Sequence, residues 1–377
     1  RTAVHNQSDY MIKKLFIGFI CLLALIAGLV YAYFQHALFG TLPHGAKLEM
    51  IQASPNYAQG AFKNQAETPF LTNGATQLSI RIENWLAEKK ITRPEHLIPA
   101  EKTDLFALNP KDDVVIWLGH SSWYLQLGGK RMLIDPVFSD YAAPVPGMIK
   151  AFDGTSLYSA ADIPALDLLL ITHDHYDHLD YHSILALKPL VKQVVTGLGV
   201  GSHFELWGYD PAIINELDWY AELQISENLK LHATPARHYS GRTFTRNQSL
   251  WLGFVVESQQ RRLFFSGDSG YGSHFAEIRS KYGAFDWVTL DSGQYDPRWA
   301  HLHMTPEQAA QAADDLNTRA MTPAHVGRFT LAPHDWFEPF ERVSKASQNY
   351  DYQLWTPVIG QPIYFDGREQ SFKPWWT

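Results

Sequence analysis

Residues 172–180 read Thr-His-Asp-His-Tyr-Asp-His-Leu-Asp and follow the apolar run Leu168, Leu169, Leu170 and Ile171 without a break. The run predicts a buried strand over 168–171, so four ligand-type side chains, His173, His175, Asp177 and His178, crowd into six residues at its end. In extended backbone His173 and His175 point the same way, and a turn after Tyr176 brings Asp177 and His178 to a neighbouring position. Imidazole and carboxylate together suit zinc or a similar first-row ion, which takes three or four ligands. Such a segment calls for a fold that completes a metal shell from elsewhere in the chain.

Three further ligand-type residues stand at comparable places. His238, Asp268 and His325 each follow a predicted strand, at 229–233, 262–266 and 319–322. Seven ligands are too many for one tetrahedral site, and they suit two metals bridged by a carboxylate. A lone histidine in a loop is better read as solvated or capping, and that reading serves most of the 17 histidines. His301 and His303 also sit two apart, but no carboxylate follows at metal-binding spacing. The single cysteine, Cys21, excludes a Cys-rich zinc site and an internal disulfide framework.

Around these loops the pattern predicts strands at 114–118, 124–127, 131–134, 168–171, 191–196, 229–233, 251–256, 262–266 and 288–290. Helices are predicted at 273–282, closed by Gly283, and at 306–316, opened by Thr305, Pro306 and Gln308 as a capping box. No period of about 20–50 residues repeats, which excludes solenoids and propellers. Strands with helices between them indicate a layered α/β or α+β sandwich.

The amino end carries a second strong signal. Residues 15–34 hold no charge and would be about 30 Å long as a helix, the thickness of a hydrocarbon core. Lys13 and Lys14 precede the run and Lys47 is the first basic residue after it, so the expected orientation keeps the amino end in the cytoplasm. The catalytic part then lies on the non-cytoplasmic, periplasmic face of a single-pass membrane protein. A cleaved signal peptide is the competing reading, but its apolar core usually spans only about 7–15 residues. The expected division is a tail at 1–14, a signal-anchor at 15–34, a connector and extension at 35–104, and a catalytic domain at 105–377. Within the connector Leu78, Ile80, Ile82, Trp85 and Leu86 suggest a short amphipathic helix. Lys plus Arg is 31 against 39 for Asp plus Glu, giving −8, which disfavours nucleic acid as a partner. No feature fixes an oligomeric state.

The His-Asp-His-Tyr-Asp-His run resembles the HxHxDH signature of the metallo-β-lactamase superfamily. The resemblance is tighter to the N-acyl-phosphatidylethanolamine-hydrolysing phospholipase D family. Four stretches carry it: Trp117-Leu118-Gly119-His120-Ser121 with Leu133-Ile134-Asp135-Pro136; residues 172–180; Ser266-Gly267-Asp268-Ser269-Gly270-Tyr271; and Tyr295-Asp296-Pro297-Arg298-Trp299 with His303. They cover roughly residues 105–345 in the family's order. The resemblance implies a four-layer αβ/βα sandwich with two zinc ions at one edge. It assigns His173, His175 and His238 to one ion, Asp177, His178 and His325 to the other, and Asp268 to both. It also implies hydrolysis of a phospholipid of the bilayer on the head-group side of its phosphate. The amino-terminal anchor and Ser292-Gly293-Gln294 depart from the family pattern and leave the exact lipid open.

Two zincs lower the pKa of a bridging water and supply hydroxide near neutral pH. Asp177 is expected to orient that nucleophile as well as bind metal, and His303 to donate to the phosphate or leaving group. Asp135 is a candidate to hold a ligating imidazole, with a simple turn before Pro136 as the alternative. Tyr176 and Tyr295 could line the pocket or merely pack, and His120 is expected to be structural, touching backbone beneath the site. Hydrolysis of a lactone or another ester remains open, as does a non-hydrolytic iron-dependent member of the superfamily.

Overall fold

The computed structural model describes residues 2–376, in two units divided after Thr41. In the first unit helix α1 (Thr2–Phe34) contains Tyr10–Phe34, 25 residues with an 18-residue stretch of mean hydropathy 2.7, long and apolar enough to cross a membrane. Residues 2–14, expected as a tail, are helical. Once a long apolar helix exists, each added residue gains a hydrogen bond without a new nucleus, so the helix runs on toward the terminus. Arg1 lies outside the described residues.

The second unit begins with what the sequence suggested was a connector, and it is folded. Helix α2 (Ala46–Gln52), the hairpin of β1 (Tyr57–Ala58) and β2 (Ala61–Phe62), and helix α3 (Gln77–Leu86) follow one another. Ile51 and Phe62 are fully buried and join the main core together with Ile98. Lys47 pairs with Glu216, and Ser54 Oγ donates to Asp218 Oδ2 at 2.6 Å. Pro and Gly punctuate these turns, which is why the segment reads as extended when only its breakers are counted.

Two seven-stranded sheets follow. The first takes β3 (Val114–Gly119), β4 (Ser122–Leu127), β5 (Lys130–Ile134), β6 (Leu166–Ile171), β7 (Val191–Gly197) and β8 (Ile214–Leu217), with helices α4 (Tyr181–Leu187) and α5 (Gly201–Leu206) between its later strands. The second takes β9 (Glu222–Ser226), β10 (Leu229–Thr234), β11 (Gly253–Ser258), β12 (Arg262–Phe265), β13 (Trp287–Asp291) and β14 (Ala320–Ala324). Helix α6 (His274–Tyr282) precedes β13, α7 (Pro306–Asp315) precedes β14, and α8 (Glu338–Ser347) leads to β15 (Gln353–Leu354) of the same sheet. Finally β16 (Pro362–Tyr364) returns to pair with β3. Each sheet has an antiparallel half and a parallel half, in the orders β16-β3-β4-β5-β6-β7-β8 and β15-β14-β13-β12-β11-β10-β9.

Side-chain alternation builds the layers. Leu168 and Leu170 of β6 and Trp287 of β13 enter the core between the sheets, where Trp123 meets Trp287 edge-on at 5.3 Å. Val288 and Leu290 point the other way, against Phe275 of α6 and Ala309 of α7. Helices thus cover the outer face of the sandwich, as the layered pattern predicts. The capping box at Thr305 and Gln308 forms, and Gly283 ends α6 at φ 85°. Strand β11 starts at Gly253 rather than at 251, because Leu252 N donates to Thr172 O and Trp251 Nε1 to Ala236 O.

Candidate metal centre

The site forms where strands of both sheets end on one edge. Thr172 follows β6, and its N–H and hydroxyl donate to the two oxygens of Asp135 at 2.8 and 2.6 Å. The same carboxylate accepts from His178 Nδ1 at 2.8 Å. Asp135 is therefore an imidazole-holding residue, not merely a turn. Behind the loop, buried Arg242 donates from Nη1 to Asp174 O and Leu179 O, which clamps the two ends of the motif. Gly267 (φ 59°) follows β12, and a Cβ there would stand 2.9 Å from Thr172 Cβ, so only glycine lets the two strand ends approach. His120, Asp135 and His325 also take left-handed backbone, with φ of 54°, 44° and 61°. Such strain in bulky residues gathers where surrounding structure fixes a functional geometry.

Among the described residues, two of the groups of ligand-type atoms that result hold the seven expected residues. His173 Nε2 stands 2.9 Å from His175 Nδ1, which stands 3.2 Å from His238 Nε2. Asp268 Oδ2 lies 3.7 Å from both His173 Nε2 and His238 Nε2. In the second group His325 Nε2 is 3.1 Å from Asp177 Oδ2 and 3.3 Å from Asp268 Oδ2, and His178 Nε2 is 3.1 Å from Asp268 Oδ1. Metal–nitrogen bonds of about 2.0–2.1 Å at tetrahedral angles set ligand atoms about 3.3 Å apart, the middle of this range. All seven sequence-predicted ligands are brought together; His120 completes the second group, and Asp268 approaches that group while also standing with Asp291, His303 and His325.

The distal ring nitrogens settle which atoms face inward. His238 Nδ1 reaches Leu302 O at 3.0 Å and His178 Nδ1 reaches Asp135, so each turns its Nε2 inward. His178 Nε2 and Asp268 Oδ1 have no hydrogen-bond partner although buried. Burial, with the charge of His178 and His175, pushes His173 well below its ordinary pKa, and burial does the same to His238 and takes His175 to about 4. Burial also lowers His325, but Asp268 and Asp291 outweigh it and raise the ring to about 10. Asp177 and Asp268 stay well below the carboxylate range, since His178 and their other imidazole neighbours outweigh burial. Converging lone pairs and buried carboxylates demand positive charge, and divalent cations supply it. The residues fit a metal centre.

Two groups near the metal shell were not legible as such in the sequence. Asp291, the last residue of β13, is fully buried; its Oδ2 accepts from Ser269 N at 3.1 Å and meets His303 Nδ1 at 2.8 Å. It also approaches His325 Nδ1 at 3.4 Å. The available signal was position: Asp291 ends an apolar strand, as the loops of the other ligands do. His120 was expected to touch backbone beneath the site, but the backbone contacts are those of its own carbonyl, which accepts from Trp117 Nε1 and His325 N, and ring Nδ1 has no hydrogen-bond partner. Ring Nε2 stands 2.9 Å from Asp177 Oδ2. Burial holds this ring at a pKa of about 4.

The centre opens into a cleft of about 380 Å³. His175, Asp177, His238 and Asp268 face it, His303 and Tyr176 flank it, and Phe70, Leu71 and Ile80 from the segment before residue 105 form an apolar wall. Tyr295 does not line this cleft; it stacks on His334 at 4.6 Å and donates to Glu338. The sequence profile of the beta-lactamase superfamily domain matches residues 130–326, which contain all seven candidate ligands.

The chain belongs to the metallo-β-lactamase superfamily. Like other members it is a metal-dependent hydrolase. An uncharacterized Mycobacterium tuberculosis protein, Rv0906, is 35% identical to it over 349 residues, covering 90% of this chain and 93% of that one. The Caenorhabditis elegans N-acyl-phosphatidylethanolamine-hydrolyzing phospholipase D 1 is 29% identical over 316 residues, 76% of this chain and 84% of its own. Igni18, a metallo hydrolase of Ignicoccus hospitalis, shares the fold, with a TM-score of 0.53 at 19% identity over 68% of this chain and all of that one. In such a superfamily member the residues behind the ligands tune the metal. Asp135→Ala is therefore expected to weaken metal binding by about 10–100-fold, read by competition with a chelator, while the secondary structure stays intact.

Proposed function

We propose that the protein is a zinc-dependent phosphodiesterase of the phospholipase D type, acting on N-acyl-phosphatidylethanolamine-like phospholipids. The observation that carries this reading is Asp268 standing between two histidine-rich ligand groups on the floor of a cleft with an apolar wall. The likeness to the worm phospholipase D supports the lipid over other esters.

His173, His175, His238 and Asp268 would hold one zinc, and Asp177, His178, His325 and Asp268 the other. Bound there, the pair supplies an activated water and positive charge for the phosphoryl oxygens. Asp177 lies on the cleft side of its group, where its carboxylate orients the attacking water. Asp135 and Leu302 O hold the ring nitrogens of His178 and His238 in place, and Asp291 stands 3.4 Å from Nδ1 of His325. His303, held from behind by Asp291, faces the cleft and delivers a proton to the leaving oxygen. Attack forms a new P–O bond from water and breaks the P–O bond to the head-group alcohol, which leaves with that proton. Phe70, Leu71 and Ile80 take the acyl chains and keep bulk water from the phosphate. In this reading Tyr10–Phe34 is a signal-anchor that keeps the catalytic unit at the periplasmic face of the bilayer where its substrate resides.

The test is a zinc-reconstituted assay on a phospholipid panel with products identified by mass spectrometry. A phosphatidate-type lipid and a free N-acylethanolamine are expected as first products. Diacylglycerol or free fatty acid as first product would reject the assignment, and turnover of a lactone alone would move the protein to another branch of ester hydrolysis.

A further inference from the structure

Helix α3 is built the wrong way round for an ordinary surface helix. Leu78, Ile82, Trp85 and Leu86 fall at i, i+4, i+7 and i+8, one apolar stripe that normally faces a core. Here no residue of the helix is buried, and these four are 68%, 48%, 83% and 69% exposed. The polar side faces the protein instead. Arg298 Nη1 donates to Glu83 Oε2 at 3.2 Å and to Asn84 Oδ1 at 2.9 Å. Just ahead of the helix, Thr72 Oγ1 and Asn73 Nδ2 both donate to Pro297 O. A reciprocal Thr76–Ser79 cap starts the helix, so its fold does not depend on burying the stripe.

The position is as telling as the pattern. Gln77 and Ile80 of this helix line the mouth of the metal-bearing cleft. Across the same mouth, Ala142, Ala143 and Ile149 line it from a loop whose tip exposes Val145 and Met148. Two rims of one cleft therefore both present apolar side chains to solvent. Lys89 and Lys90 follow the helix after Ala87 and Glu88, and Trp85 stands among the aliphatic residues. Trp with aliphatic residues on one face and Lys beside it is the composition of a helix lying in a membrane interface.

We propose that α3, with the Val145–Met148 rim, docks into the outer layer of a lipid bilayer and sets the cleft mouth against the lipid surface. The proposal rests on the reading of Tyr10–Phe34 as a membrane span, and it adds a second contact that a tether alone does not provide. A tether keeps the enzyme near the bilayer, whereas a docked rim lets a phospholipid pass from membrane to cleft without crossing water.

The test uses the full-length chain reconstituted into vesicles of phosphatidylethanolamine and phosphatidylglycerol. In a Cys21→Ser background, Ile82→Cys carries an environment-sensitive fluorophore, and Gln260→Cys, exposed elsewhere on the body, is the control. A lipid spin-labelled near the head group should quench the probe at position 82 and leave that at 260 bright. A probe at 82 that stays water-exposed overturns the proposal. So does one shielded in detergent as the protein is concentrated, which would make the stripe an interface between copies. A Leu78→Ser, Ile82→Ser, Leu86→Ser variant should keep its metal and its rate on a soluble phosphodiester, yet lose about tenfold in rate on vesicle lipid. Unchanged rates on vesicles would count against docking. The quenching needs no turnover: quenching without phospholipid hydrolysis keeps the docking and rejects the substrate reading, and hydrolysis without quenching does the reverse.

Discussion

His175→Ala is expected to lower turnover by about 10³-fold, since losing one ligand set forfeits several kcal/mol of charge stabilisation at about 1.36 kcal/mol per tenfold. His175 Nδ1 is the atom nearest to both other imidazoles of its group, at 2.9 and 3.2 Å, so its removal opens that group. The second group keeps Asp177, His178, His325 and Asp268, and metal analysis should fall from about two ions per chain to about one. Asp268→Asn should do more damage to metal content, because it removes charge from both groups at once. If His175→Ala kept full activity and both metals, the ring would be scaffold, and the assignment of the first group would be wrong. His120→Ala offers the contrast. It empties a fully buried site, where about 2–5 kcal/mol of stability is at stake, and it removes a hydrogen bond to Asp177 rather than one of the seven expected ligands. Its signature should be a lowered melting temperature together with a smaller loss of rate.

Removing residues 1–34 and removing residues 1–104 should have opposite consequences. The first deletion takes away α1, which belongs to a unit of its own, and should leave a folded enzyme active on a soluble phosphodiester. On bilayer lipid the same protein should lose much of its rate, because the tether no longer raises the local concentration of substrate, and mixed micelles should restore part of it. The second deletion takes away Ile51, Phe62 and Ile98 from the main core, at about 1.5–3 kcal/mol for each large apolar side chain. It also removes Asn64, whose Nδ2 donates to His238 O at 2.8 Å and whose Oδ1 accepts from His238 N at 3.1 Å. Against a total stability of about 5–15 kcal/mol, that loss unfolds the domain. Soluble, metal-loaded protein from the longer deletion would show that the segment is an accessory wall and not part of the fold.

The candidate ligands could be picked out in the sequence because chemistry and position coincided. His173 to His178 crowd at one strand end, and His238, Asp268 and His325 each follow an apolar run. Asp135 was legible for the same reason, since its strand pairs in parallel with the strand that carries the motif. Asp291 sits at an equivalent strand end but has no histidine beside it in sequence, and its partners His303 and His325 come from elsewhere in the chain. Strands β15 and β16, of two and three residues, are too short to show a period. Helix α4 stayed hidden because its cap, Asp180, whose side chain accepts from Ser183 N, was counted with the metal motif. The folded state of residues 42–104 was hidden for a different reason. Its contacts are long-range: Phe62 N donates to Asn247 O, and Arg237 reaches back to Glu67 O. No local pattern announces such partners.

The central claim is a carboxylate-bridged pair of metals, and one titration tests it most directly. Metal-free protein is loaded stepwise with zinc while bound metal and phosphodiester hydrolysis are measured on the same samples. The account predicts binding that saturates at about two ions per chain, with hydrolysis rising mainly as the second ion enters. In Asp268→Asn both steps should weaken and the rate should fall with them. Saturation at one ion with full activity, in the native protein and in Asp268→Asn alike, would contradict the account.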